Sequence, residues 1–387
     1  MSDTIRRADV TLANWREHPF SRWSFQNVRE IVPTAVISSG RGGEPSRAGG
    51  FEGLTLRKPD GVAIGAEDFF RQSHTDSIMA LKDGRFVAEW HGGHVDPARP
   101  HIIFSISKSI TGALAGAAVD DGVLDPDAPI TDYVPEIAGG GAYADATVRH
   151  LLDMTVSLEF VEDYLDRSGP FDRYRRAMLW NPETRPDAVE TMLDVLASLP
   201  RAGRPHGEAF YYASPDTDMM GIVLERATGR RFSDFLAERI WEPMGATGQA
   251  YVTVDRVGAA RAAGGVCVTP HDLARLGALV MNDGVAASGA RLLPSSWIDD
   301  IRSNGDRAAW LKGDSVTILP DARYRSFWYD VGDGRGTLAA IGIHGQYIWA
   351  DPTSGVVVVR TASRPAPSDD PLTIEALSVL AQIARAI

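Results

Sequence analysis

The sequence predicts an α+β fold, with an α/β domain assembled from both ends of the chain and a mainly helical domain between them. Three observations predict it. Asp83-Gly84 lies between two apolar runs, Ser77–Leu81 and Arg85–Trp90, which is a hairpin signal. From Val123 to about Ala260 the chain reads mainly as helices and loops. After Ser326 the pattern turns to short β runs and closes on an apolar helix. Residues 1–104 and 261–387 are therefore expected to form the α/β domain and residues 105–260 the helical one, with a site in the cleft between them.

In chain order, residues 1 to about 70 read as irregular, and the Gly/Arg/Pro stretch Ser39–Gly50 as a surface loop. After the hairpin and a loop around Pro97–Pro100, a helix opens at Ser105 and stops at Gly122, a residue suited to a left-handed C-terminal cap. Its Gly and Ala residues let neighbouring elements pack close. Further helices are expected over Thr147–Met154, Pro186–Ser198, Asp216–Ala227 and Phe232–Trp241. In the last of these, Phe232, Phe235, Leu236 and Ile240 form an apolar stripe. Thr269-Pro270 opens a helix that reaches Asn282, with proline in the first turn. Strands follow at Ser326–Val331, Leu338–Ile343, Tyr347–Ala350 and Val356–Thr361, with a turn at Asp351–Gly355, and Pro371–Ile387 is the closing helix.

Composition narrows the function. The chain has 387 residues, 44% of them hydrophobic and 23% charged, with a formal net charge of -12. This acidic balance weighs against nucleic acid and anionic membranes, which need clustered Lys and Arg, and leaves small neutral or cationic substrates. One cysteine, Cys267, excludes an internal disulfide framework. The segment Met1–Leu12 is polar, without the apolar stretch of a secretory signal, and no apolar run is long enough to span a bilayer. A cytoplasmic protein is expected. His91-Gly-Gly-His94 has no third ligand in a motif and reads as surface. Neither HExxH nor Gly-x-Ser-x-Gly is present.

The chemistry centres on Ser105-Ile-Ser-Lys108. A serine and a lysine three apart share one face of a helical turn, so the amine reaches the hydroxyl. The chain has four lysines, and Lys108 alone has a serine three residues before it. The helix dipole and burial both disfavour an ammonium in a first turn, which moves the lysine towards a base. The Ser105 N–H, at the helix start, has no partner within the helix and is free to donate to an oxyanion. Phe210–Asp216 adds Tyr212-x-Ser214, a phenol and a short polar side chain before an apolar helix. In Ala340–Gln346, glycines in a strand let a substrate backbone approach closely, and a backbone N–H there is a second oxyanion donor. His101, just ahead of Ser105, reads as packing at the cleft edge.

Taken together, Ser-x-x-Lys, Tyr-x-Ser and a Gly-containing late strand, in that order, resemble the serine β-lactamase and penicillin-recognising hydrolase superfamily. Within it the chain is most similar to the nylon-oligomer (6-aminohexanoate-dimer) hydrolases. The resemblance rests on Ser21–Val28, Ser105–Ser109, Ile130–Ile137, Glu162–Tyr164, Asp216–Asp218, Gly264–Val266, Asp272–Gly277 and Gly342–Gln346. It implies a β-lactamase-like fold, an antiparallel sheet flanked by helices plus a helical domain. It also implies an acylated Ser105, Lys108 as base, Tyr212 as proton relay, and an oxyanion hole from the N–H groups of Ser105 and Ile343. Tyr164, Trp328, Tyr329, His344 and Ser214 are implied to bind substrate. The implied reaction is hydrolysis of a small amide or ester through an acyl-enzyme, with no metal or organic cofactor and with room for a homodimer; the alternative is a binding or sensor module without turnover. Three departures stand out. Arg175 occupies the ungapped match of an acidic residue in the amide-cleaving relatives, with Asp172 nearby in sequence, and Ala263 replaces a polar side chain. No lysine follows Lys312, so the late-strand lysine of true β-lactamases is missing.

Overall fold

The computed structural model describes residues 5–40 and 48–387, so most of the Ser39–Gly50 loop lies outside the described residues. The strands in chain order are β1 (Thr34–Ile37), β2 (Thr55–Arg57), β3 (Ala63–Gly65), β4 (Thr75–Lys82), β5 (Arg85–His91), β6 (His101–Ile102), β7 (Ala250–Thr253), β8 (Val266–Val268), β9 (Arg323–Arg325), β10 (Trp328–Asp330), β11 (Leu338–Gly342), β12 (Gln346–Asp351) and β13 (Val356–Ala362). The main sheet has the order β5-β4-β13-β12-β11-β10-β9 and is antiparallel throughout.

Turn chemistry fixes its registers. Asp83 and Gly84 both take positive φ, 48° and 79°, as a two-residue hairpin turn requires, and Lys82 pairs with Arg85. At the other hairpin, Asp351 Oδ1 accepts from Thr353 and Ser354 N–H, and Gly355 supplies the left-handed residue, so Asp351 pairs with Val356. Strand β13 is buried on both faces, which is why Val356–Val359 is a continuous apolar run. The helices Pro270–Met281 and Asp370–Ala386 pack on this sheet.

The helix beginning after Ser105 runs from Ile106 to Asp120, and Gly122 follows with φ 71°. It is buried almost end to end. A Cβ on Gly112 would lie 2.0 Å from the Ser326 carbonyl oxygen, and one on Gly116 would lie 2.6 Å from the Trp297 ring. Small residues thus let the turn before β10 and the Trp297 ring lie directly on the helix.

Several elements depart from the sequence expectation. The helix expected at Pro186–Ser198 begins only at Met192, because Thr191 caps it by accepting from Asp194 N–H. The stripe at Phe232–Trp241 starts as an α-helix and loosens into a π-turn from Ala237. The described residues up to about 70 are less irregular than expected, holding β1, β2, β3 and the start of a helix at Ala66–Gln72. Helices at Pro170–Ala177, Ser295–Ser303 and Arg307–Leu311 had no expected counterpart. A second sheet, β1-β7-β8-β6, was not anticipated either; its strands are two to four residues long and mostly buried, too short to show a period.

The close helix–turn contact is testable. Gly112→Ala forces a methyl into the Ser326 carbonyl and is expected to destabilise the protein by about 1–3 kcal/mol. A urea midpoint equal to that of the unaltered protein would show that the helix does not need this approach.

Candidate active site

Ser105 stands where a strand becomes a helix. Strand β6 pairs with β8, and Ile103 N–H donates to the Val266 carbonyl at 3.0 Å. Phe104 then takes φ 44°, an unfavourable conformation for an aromatic residue. Packing against Phe25, Trp180 and His344 holds it there. The turn makes Ser105 the residue that precedes the helix, yet its hydroxyl makes no capping bond. The Oγ is instead 3.0 Å from Lys108 Nζ, one turn on.

Lys108 is 1% exposed. Its Nζ is 3.0 Å from Ser105 Oγ, 3.0 Å from Ser214 Oγ and 2.9 Å from the Ala263 carbonyl. Burial pulls its pKa down to about 7; the Glu162 carboxylate opposes this and the Arg261 guanidinium assists it. A large share of the lysine is therefore neutral near pH 7, with two N–H donors and one lone pair. The Ala263 carbonyl can only accept, so it takes one N–H. Ser214 Oγ donates its own proton to Glu162 Oε1 at 2.8 Å, so towards Lys108 it can only accept. Both donors of the neutral amine are thereby assigned, and its lone pair faces the Ser105 hydroxyl.

Glu162 organises this side of the site. Its Oε2 accepts from Ser214 N–H at 2.7 Å, and its Oε1 also accepts from the Tyr164 hydroxyl at 2.7 Å. In the sequence Glu162 falls within a resembling segment, Glu162–Tyr164, and nothing local assigns it a role. The available signal was an acidic residue two positions before Tyr164. On the other side, Asp218 accepts from Ala263 N–H at 2.8 Å and pairs with Arg261 and Tyr174. That fixes the peptide whose carbonyl receives Lys108.

Tyr212 is beside the pair, its ring centroid 4.9 Å from Lys108 Nζ. Burial raises its phenol well above the ordinary value, with the Ser105 hydroxyl acting in the opposite direction. Tyr211 points elsewhere and donates to the Phe160 carbonyl. The N–H groups of Ser105 and Ile343 have no hydrogen-bond partner among the described residues. Both residues border the same space. Gly342 brings them together, since a Cβ there would lie 2.8 Å from the Ile103 carbonyl. The close approach expected at this glycine is thus made by the protein's own backbone.

Two cavities, each of about 340 Å³, meet at Ser105, Glu162, Tyr164 and Ile343. His344 lines the first, and Tyr212 and Tyr329 the second. His344 donates from Nδ1 to the Arg364 carbonyl at 2.7 Å, and burial lowers its pKa to about 4. Trp328 lines neither cavity. It is fully buried, donating from its indole to the Ser109 carbonyl at 3.1 Å, because adjacent residues of a strand face opposite sides and Tyr329 takes the cavity side. His101 is held by Asp76 at 2.9 Å and lines neither cavity. His91 bonds to Ser77 and His94 to Asp76.

A β-lactamase-like fold with a buried Ser–Lys pair at its cleft is the architecture of a serine hydrolase. Residues 66–382 match the Beta-lactamase family model, and the chain belongs to that family. It is 34% identical to the 6-aminohexanoate-dimer hydrolase of Paenarthrobacter ureafaciens over 360 residues, 93% of this chain and 89% of that protein. It is 29% identical to the lovastatin esterase of Penicillium rubens over 196 residues, 46% of each chain. A solved Bacillus anthracis structure, described as a candidate 6-aminohexanoate-dimer hydrolase, superposes with TM-score 0.88 over 99% of this chain and 98% of that one. At 23% identity this last likeness shows the fold alone.

Because Glu162 raises the Lys108 pKa, Glu162→Gln is expected to move the rising limb of the pH profile for Ser105 labelling to lower pH. The plateau should also fall, since the glutamine amide keeps one acceptor oxygen where Ser214 N–H and Ser214 Oγ each use one. The rate of fluorophosphonate incorporation, followed by intact mass, measures both. An unchanged profile would remove Glu162 from the network.

Proposed function

We propose that this chain hydrolyses a small amide or ester through an acyl-enzyme formed on Ser105. The observation that carries the reading is the buried Lys108 Nζ 3.0 Å from Ser105 Oγ, with the Ser214 hydroxyl and the Ala263 carbonyl placed to take its two N–H groups. Lys108 takes the Ser105 proton as the oxygen attacks the carbonyl carbon. The N–H groups of Ser105 and Ile343 receive the oxyanion. Tyr212 hands a proton to the departing amine or alcohol, and its raised pKa supports a role as a phenol that relays protons, with Lys108 as the base. Water, deprotonated by the same pair, then releases the acid and free Ser105. Every step uses groups of the chain itself.

Tyr164, Tyr329, His344 and Ser214 belong to the binding side of this proposal, supported by their position on the cavities or on Lys108. Trp328 acts behind the site, as a core residue. The same proposal assigns residues 105–260 to a helical lobe and 1–104 with 261–387 to a sheet lobe; the seven-stranded sheet, all of it outside 105–260, supports this. A cytoplasmic location completes it, supported by the single, buried Cys267. No helix among the described residues is long and apolar enough to cross a membrane.

Ser105→Ala is expected to abolish release of p-nitrophenol from p-nitrophenyl butyrate, and Lys108→Ala to lower kcat/KM by about 10²–10⁴-fold. Near-normal turnover in either variant, or no turnover in the unaltered protein, would refute the reading and leave a binding module.

The pH dependence is a separate test. The neutral amine is the active form, so kcat/KM rises with pH to a plateau above the Lys108 pKa of about 7. Two pH units below that value the rate is expected to fall about a hundredfold. A flat profile between pH 5 and 9 would exclude Lys108 as the base.

A further inference from the structure

The first cavity has an unusual charge arrangement. Arg16, Arg167, Arg175 and Arg261 line it, with Glu17 and Glu162 as its carboxylates. Arg167 pairs with Glu17, and Arg261 with Asp218. Glu162 is engaged by Ser214 and Tyr164. Arg16 and Arg175 have no carboxylate partner in an ion pair among the described residues. Arg16 donates to the Asn181 side chain and lies over the Trp15 and Trp180 rings, 5.0 and 5.6 Å from their centroids. Arg175 donates to the carbonyls of Tyr164 and Asp166. Each keeps a buried N–H group without a partner among the described residues, Nη1 of Arg16 and Nε of Arg175. Burial, then the charges of Arg175, Arg167 and Arg261, lower the pKa of Arg16 to about 9. Guanidiniums gathered in a partly enclosed space with too few acids favour an anion brought from outside.

The two cavities divide the substrate. Tyr212, the proposed donor to the leaving group, lines the second cavity and not the first. The leaving group therefore departs on the second side, and the acyl part extends into the first, towards the arginines.

We propose that the first cavity binds a carboxylate at the far end of the acyl chain, so that the preferred substrates are half-esters or half-amides of dicarboxylic acids. This rests on the hydrolase reading above. In the reaction, Ser105 Oγ bonds to the ester carbon as the alkoxide leaves and takes a proton through Tyr212. Water then cleaves the acyl-serine bond, giving the free dicarboxylic acid and restoring the Ser105 hydroxyl. The distal carboxylate is unchanged throughout.

The test compares p-nitrophenyl hydrogen adipate with neutral p-nitrophenyl hexanoate and cationic p-nitrophenyl 6-aminohexanoate. The expected result is a kcat/KM at least tenfold higher for the adipate half-ester than for the hexanoate, with the 6-aminohexanoate ester poorest. In Arg175→Gln and in Arg16→Gln the adipate-to-hexanoate ratio is expected to collapse, and Arg175→Lys to restore part of it. Equal rates for the three esters, or a ratio that survives both glutamine variants, would overturn the proposal. Direct binding separates it from the hydrolase reading. Ser105→Ala is titrated calorimetrically with monomethyl adipate and with methyl hexanoate. Tighter binding of the half-ester, lost on adding Arg175→Gln, supports the anion site even if no ester is turned over, in which case the hydrolase reading alone fails. Equal binding of the two ligands would overturn the anion site whatever the turnover.

Discussion

A buried lysine amine with three fixed neighbours is the constraint on which the rest of the site depends. Enclosing an ammonium without a partner is strongly unfavourable, and the group answers by releasing its proton. Lys108 does so in a shell that is acidic at one remove: Glu162, Asp218 and Asp216 all favour the charged form. Desolvation outweighs them, which places the pKa near 7 rather than at either extreme. A base poised there is half-available at neutral pH and still basic enough to take a proton from a serine. The same shell gives it direction. Glu162 holds the Ser214 proton and Asp218 holds the Ala263 peptide, so two acids that never touch Ser105 fix where the lone pair lies.

The fold serves this arrangement by bringing distant segments onto one short helix. Ser107 Oγ accepts from Val266 N–H, Thr111 donates to the Ala262 carbonyl, and Ser109 donates to the Phe327 carbonyl. The polar side chains of the helix thus tie it to the two chain segments that flank the cleft, while Gly112 lets the second of them come close and Gly116 makes room for Trp297. The strained Phe104 turn persists because both of its sides are fixed, by the β6–β8 pairing before it and by the helix after it.

How much of this was legible in the sequence depended on distance along the chain. Ser105 and Lys108 were legible because one helical turn joins them, and the Asp83-Gly84 and Asp351–Gly355 hairpins because turn chemistry is local. Tyr212 and Ser214 needed the company of the first pair to be noticed. Glu162 was not assigned a role, because its contacts with Ser214 span 52 positions and no local pattern announces a carboxylate whose function is to accept a hydroxyl proton. Strands β6 and β8, which set the turn at Ser105, are two and three residues long and buried, below the length at which alternation can be read. Trp328 was placed at the cleft by resemblance, whereas strand alternation turns it into the core and leaves Tyr329 at the cavity.

The overall charge illustrates the same limit. A net charge of -12 suggests neutral or cationic substrates, yet the first cavity holds four arginines against two carboxylates. The two observations act over different ranges. At physiological ionic strength, exposed charges are screened beyond about 8 Å, so the average surface charge has little hold on a small molecule inside a cleft. What that molecule meets is the local set, where guanidiniums are partly desolvated and less screened. An acidic exterior disfavours polyanions, which would have to lie along it, while the cavity still receives a single carboxylate at the end of a short chain. Net charge thus restricts the size of an acceptable anion more than its sign, and in this chain the sign is set by Arg16 and Arg175, whose charges no side-chain acid among the described residues pairs.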